Sequence, residues 1–161
     1  MAHYEVVQRL AAVATTYDVK DGDTALVARG AFTSVTPRFT LVDEKDKELG
    51  TLAGNFNKTE FHIKDAAGKE VALVTFPSIA LKKTLELEIG GKKYHADAGL
   101  LARVWDFKCA DAAGKVAVEV KKPEGFTKVR DRFLVEAAED VSREIAVLLT
   151  VAIHSRYFEM I

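Results

Sequence analysis

The chain has 161 residues, 48% of them hydrophobic and 29% charged, with a formal net charge of −1. This length and mix describe one soluble globular domain over 1–161 that can bury about two-thirds of its unfolded surface. The near-neutral charge excludes nucleic-acid binding through bulk electrostatics. The single cysteine, Cys109, excludes an intrachain disulfide and a cysteine metal cage, and it fits a cytoplasmic compartment. The apolar stretch 10–14 is too short for a signal peptide, and no run reaches the roughly 18 residues of a membrane span.

Taken in chain order, strand-like starts recur at Tyr17, Phe39, Phe61, Leu85, Phe107 and Phe133, at intervals of 22, 22, 24, 22 and 26 residues. Each opens an apolar alternation: Tyr17/Val19, Phe39/Leu41, Phe61/Ile63, Leu85/Leu87/Ile89, Phe107/Cys109 and Phe133/Val135. Period two buries one face and solvates the other, as in an antiparallel sheet. Turns rich in Asp and Gly follow at 21–22, 43–47, 65–68, 90–91 and 111–114. Aspartate accepts local backbone hydrogen bonds there, and glycine tolerates positive φ. The pentapeptide Asp-Ala-Ala-Gly-Lys is used twice, at 65–69 and 111–115, so one hairpin design is reused. Returning strands are predicted at 25–29, 48–53, 71–76, 92–97 and 116–120. Pro37, Pro77 and Pro123 fall in the links between hairpins, where a missing N–H costs the sheet nothing. Residues 17–135 thus predict about eleven or twelve strands in an up-and-down meander.

The last residues change character. From Ile145 to Ile153 only Thr150 is polar, which is too long and unbroken for a typical strand. Asp140 or Ser142 can cap a helix, and Glu144 suits its first turn. The expected helix spans about 141–157 and is roughly 25 Å long. An all-round apolar helix belongs in a core or a membrane, and this one is too short for a bilayer. A mainly β fold follows, in which a roughly twelve-stranded antiparallel up-and-down barrel encloses the hydrophobic C-terminal helix.

Motifs spread along residues 6–158 resemble the LURP-one-related family, which is grouped with tubby C-terminal domains and phospholipid scramblases in the tubby-like fold. They are Tyr17-Asp18-Val19-Lys20-Asp21-Gly22, Phe39-Thr40-Leu41-Val42-Asp43, and Phe61-His62-Ile63-Lys64-Asp65 with Gly68. Trp105-Asp106-Phe107 with Asp111 and Gly114, Val129-Arg130-Asp131-Arg132-Phe133-Leu134-Val135, and Glu139-Asp140 before the helix complete the set. The resemblance implies a twelve-stranded barrel around a central C-terminal helix. Scramblases resemble this fold but add a proline-rich arm, a palmitoylated cysteine cluster and an acidic calcium segment, none of which matches residues here.

No catalytic constellation is legible. His3, His62, His95 and His154 lack metal-ligand spacing, and neither a hydrolase elbow nor a phosphate loop is present. Asp18, Asp21 and Asp23 crowd a turn without the rest of a calcium loop. His62 and His95 are expected on solvated strand faces, and His154 where the helix emerges from the barrel. Asp106 and Asp131 are expected to form rim hydrogen bonds, with no second carboxylate identifiable nearby. Cys109 and Trp105 are expected in the core. The candidate binding residues are Lys121, Lys122, Lys128, Arg130 and Arg132, five cations against Glu124 and Asp131. Lys82-Lys83 and Lys92-Lys93 mark a second basic hairpin. A basic cluster can hold anionic lipid headgroups, each cation near a membrane contributing about 1 kcal/mol. The expectation is a non-enzymatic binding or regulatory barrel at a membrane surface, taking phosphoinositides or other anionic lipids, with no cofactor and no metal. The alternatives are a soluble structural or protein-interaction barrel and, third, a scramblase-like membrane protein; oligomeric state is open.

Overall fold

The structure, a computed structural model, describes residues 1–9, 14–79, 83–98, 105–123 and 131–158. Its strands are β1 Ala2–Gln8, β2 Thr16–Asp21, β3 Thr24–Gly30, β4 Arg38–Val42, β5 Glu48–Gly54 and β6 Glu60–Asp65. There follow β7 Glu70–Thr75, β8 Thr84–Ile89, β9 Lys92–Asp97, β10 Trp105–Ala110, β11 Val116–Lys122 and β12 Arg132–Ala137. The helix α1 is Arg143–Ile153, and its last turn widens to π geometry over His154–Phe158.

The repeated turns share one chemistry. Asp43 Oδ1 accepts from the N–H groups of Lys45 at 2.8 Å and Lys47 at 2.9 Å. Asp65 does the same for Ala67 and Lys69, both at 3.0 Å, and Asp111 for Ala113 and Lys115, at 3.0 and 2.9 Å. The fourth residue of each turn is left-handed: Asp46 at φ 61°, Gly68 at 84° and Gly114 at 86°. Each turn follows a register shift, at Leu41/Val42, Ile63/Lys64 and Cys109/Ala110. A bulge adds right-handed twist to its strand, which favours curling the sheet toward closure. The duplicated pentapeptide is thus a turn-and-bulge module, and 43–47 is a third copy with aspartate in the glycine position.

All twelve strands pair antiparallel with their chain neighbours, and β1 pairs with β12 to close the barrel. The expected meander over 17–135 holds eleven of these strands; the twelfth is β1, ahead of that range. It lines up Tyr4 with Val135 and Val6 with Phe133, so inward residues meet inward residues.

The helix fills the barrel. Ser142 Oγ accepts from the Ile145 N–H at 3.3 Å, and Arg143 reaches Asp21 on β2 at 3.1 Å, so the helix start is tied to the wall. Every residue from Ile145 to Ile153 is buried. Thr150 Oγ1 donates to the Ala146 carbonyl at 2.9 Å, so the one polar side chain is satisfied internally. The run is the barrel core, and among the described residues no helix is long and apolar enough to cross a membrane. Cys109 and Trp105 face inward as expected, and burial pushes the Cys109 thiol up to about 12.

Glycines on the inner wall are covered by aromatic rings of the next strand. A Cβ on Gly54 would lie 2.6 Å from the Phe61 ring, and one on Gly30 would lie 3.1 Å from the Phe39 ring and 2.8 Å from the Thr15 carbonyl. Gly54→Ala therefore forces Phe61 off its seat, with an expected loss of about 1–3 kcal/mol in urea denaturation. A second outcome concerns acid. Backbone N–H bonds, chiefly from Lys47, hold Asp43 below the usual carboxylate range, and Lys92 with the turn N–H groups does so for Asp111. Both folded values are depressed, so this stabilisation is complete above the unfolded carboxyl value of about 3.9 and disappears as pH falls through the folded values. Asp43→Asn with Asp111→Asn is expected to flatten the acid limb of a plot of urea midpoint against pH.

A basic concavity on the outer wall

Strand register assembles a polar row that the linear sequence scatters. Arg29 on β3 lies opposite Thr40 on β4, Thr40 opposite Thr51 on β5, and Thr51 opposite Lys64 on β6. Arg38 stands two residues along β4, opposite Ala53. The short side chains in the middle leave a concavity of about 480 Å³ with Arg29, Arg38 and Lys64 around it. A second cleft of about 370 Å³ adjoins it at Gly30, Ala31, Arg38 and Phe39 and opens between the β3–β4 and β5–β6 connections. Lys58 lines that cleft, so the two hold four cations, and among the described residues no carboxylate lines either.

The local structure holds two of these side chains, Lys58 and Arg29. Asn55 Oδ1 accepts from the N–H groups of Thr59 at 2.9 Å and Glu60 at 3.2 Å, which locks the β5–β6 turn with Lys58 at φ 57°. Lys58 Nζ donates to the Ser155 carbonyl at 3.1 Å, and a cation at a helix C-terminus meets the negative end of its dipole. Arg29 sits 3.3 Å from Asp46 in an exposed pair, which offsets part of its charge. Beside the concavity, His62 is half-exposed and bonds Glu60 at 2.7 Å and also Glu70. Partial burial pulls its pKa down, but the two carboxylates outweigh this and hold it above the ordinary imidazole value.

The basic segment expected near the C-terminus is arranged differently. Lys121 lies on the outer wall opposite Leu134 and Asp106. Lys122 points into the barrel end, buried, with Nζ 3.3 Å from Asp131 Oδ1. Arg132 Nε pairs with Glu5 at 3.0 Å on the outer wall. Lys128 and Arg130 lie outside the described residues. The three described cations of that segment therefore do not converge on one point. Lys82 is also outside, while Lys83 stands 4.3 Å over the Trp105 ring and Lys92 pairs with Asp111 at 3.0 Å. Asp106 does have a second carboxylate beside it. Partial burial, and then a hydrogen bond to Asp106, raises the pKa of Glu119.

Inside the same barrel end runs a polar chain. His154 Nδ1 is 2.6 Å from the Tyr17 hydroxyl, its Nε2 is 2.8 Å from Asp131 Oδ2, and Asp131 reaches on to Lys122. His154 stands at the barrel end where α1 finishes and is only 1% exposed; both ring nitrogens find partners and the residue stays enclosed. Burial raises Asp131, but the hydrogen bond and charge of His154, with Lys122, outweigh it and hold the carboxyl below its ordinary range. Tyr17 and His154 are closed to solvent, and the chain is a hydrogen-bonded network within the barrel end.

These features define a helix-filled antiparallel β-barrel with an open basic outer face. The LURP-one-related family model matches residues 4–154, from β1 to the residue after α1, and the chain belongs to that family. A search of the curated proteins returned no match. Replacing His154 by Ala leaves Asp131 and Tyr17 without their shared partner, so chemical denaturation is expected to show a loss of about 2–4 kcal/mol.

Proposed function

We propose that this barrel is a non-enzymatic binding domain for anionic lipid headgroups, phosphoinositides among them, at a membrane surface. The observation that carries the reading is the outer-wall concavity, where Arg29, Arg38 and Lys64 gather around Thr40 and Thr51, with Lys58 in the adjoining cleft and no lining carboxylate among the described residues. Guanidinium and ammonium donors beside hydroxyl donors suit phosphate oxygens. A shallow, open wall suits a headgroup presented by a surface better than a small molecule that needs enclosure. A peripheral location follows from this reading. In a chain with net charge −1, such a local field is a feature of position and not of composition.

Co-sedimentation with phosphatidylcholine vesicles, with and without phosphatidylserine or a phosphoinositide, tests it. At about 1 kcal/mol per cation, Arg38→Ala with Lys64→Ala is expected to weaken binding to anionic vesicles by roughly thirtyfold. Lys121→Ala with Arg132→Ala, on the β11–β12 wall, is the comparison pair; a larger loss there would move the lipid face to that wall. Equal recovery on neutral and anionic vesicles would sink the lipid reading and favour a protein-interaction barrel.

A further inference from the structure

Among the described residues, the two ends of the barrel have opposite characters. The connections around the start of α1 include the hydrophilic tips 22–23, 43–47, 65–69, 90–91 and 111–115, built from Asp, Gly, Lys, Glu and Ala. The end at which α1 finishes carries Phe32, Val35, Phe56 and Ile79 on three successive connections, with exposures of 72, 86, 75 and 79%. Met1 and Leu134 are the other exposed large hydrophobics among the described residues, and neither lies on those connections. Phe32, Val35 and Phe56 line a single cleft, and Arg38 and Lys58 line it with them.

We propose that this rim is the membrane-inserting edge of the protein: Phe32, Val35 and Phe56, with Ile79 beside them, enter the acyl region of a bilayer containing anionic lipid. The inference rests on the headgroup reading above and adds the orientation and the apolar anchor. Large apolar side chains gathered at exposed loop tips mark an interaction surface. The charge pattern selects the partner, because cations immediately behind apolar tips match phosphates immediately above acyl chains. The feet of these connections are also bonded before any contact. Gly54 N–H donates to the Pro37 carbonyl at 2.8 Å, Ala31 N–H to the Arg38 carbonyl at 2.8 Å, and Phe76 N–H to the Thr59 carbonyl at 2.8 Å, which ties neighbouring connections to each other and to the wall. Insertion therefore starts from connections whose feet are already fixed, which leaves more of the burial free energy for binding.

The test uses the full chain with one dye. Phe56→Cys is labelled with an environment-sensitive fluorophore; Cys109 is enclosed and its thiol is raised to about 12, so it stays unlabelled. Ala67→Cys on the opposite end carries the same dye as a control. Vesicles are phosphatidylcholine with phosphatidylserine, with and without bromine on the acyl chains, and pelleting is read on the same samples. The expected result is a blue shift and bromine quenching at 56, no change at 67, and at least about a tenfold loss of pelleting in Phe32→Ser/Phe56→Ser. Pelleting with both dyes in water would overturn insertion and leave the headgroup reading intact. Absence of pelleting would overturn both. A blue shift at 56 without vesicles, with a dimer in sedimentation velocity, would assign the rim to a second copy of the chain and overturn the proposal.

Discussion

An apolar helix in water must be surrounded, and a wide barrel must be filled. Each half of this structure answers the other's requirement. Nine consecutive residues of α1 are buried, and the wall that buries them turns Val6, Leu26, Leu41, Ile63, Leu87 and Val120 inward toward the same core. Neither part has a satisfactory state alone: the helix would expose its whole circumference, and the barrel would enclose a void. The glycines at 30 and 54 and the rings of Phe39 and Phe61 belong to this fit, because the ring fills space on its neighbour's strand that a Cβ would claim.

Where the helix ends, the apolar rule gives way to a polar one. The last carbonyls of a helix need donors, and Lys58 supplies one to Ser155 while Arg156 and Tyr157 bond wall carbonyls at Pro77 and Thr84. His154, Tyr17, Asp131 and Lys122 close the same end from inside. Burial alone does not say what a group does: Lys122 has the sign of a headgroup ligand but serves the interior, while Arg38 and Lys64, spread over separate strands, share an open face. At this rim the helix end anchors, through Lys58, the β5–β6 connection whose tip, Phe56, faces solvent.

Much of this was legible in the residues, for identifiable reasons. The Phe-led alternations and Asp-Gly turns located eleven strands because each hairpin carries its signal within about ten residues. The helix was legible because Ile145–Ile153 has no polar break but Thr150. β1 was missed because Tyr4 and Val6 give only a short alternation, with no Asp-Gly turn after it; its partner β12 lies some 130 residues away. The Arg29–Thr40–Thr51–Lys64 row was missed for a related reason: it exists only once four strands are in register, and each of its residues is unremarkable alone. The inward turn of Lys122 could have been read from Val118, Val120 and Lys122 in alternation, but the local count of cations drew the opposite conclusion. His154 reads as a boundary beside an apolar run, and only the partners on β2 and beside β12 make it an interior residue.

The closing seam has a consequence for how the molecule comes into being. β1 waits for β12, and the filler for the space they enclose follows β12 in the chain. During synthesis the growing chain can form its hairpins one by one, since each is local, but the seam and core must wait for β12 and α1. Until then the inner faces of the early hairpins are exposed to the cell. The Asp-capped turns, whose backbone hydrogen bonds are local, suit hairpins that must stand through that interval, and the arrival of α1 is what turns a ribbon into a barrel.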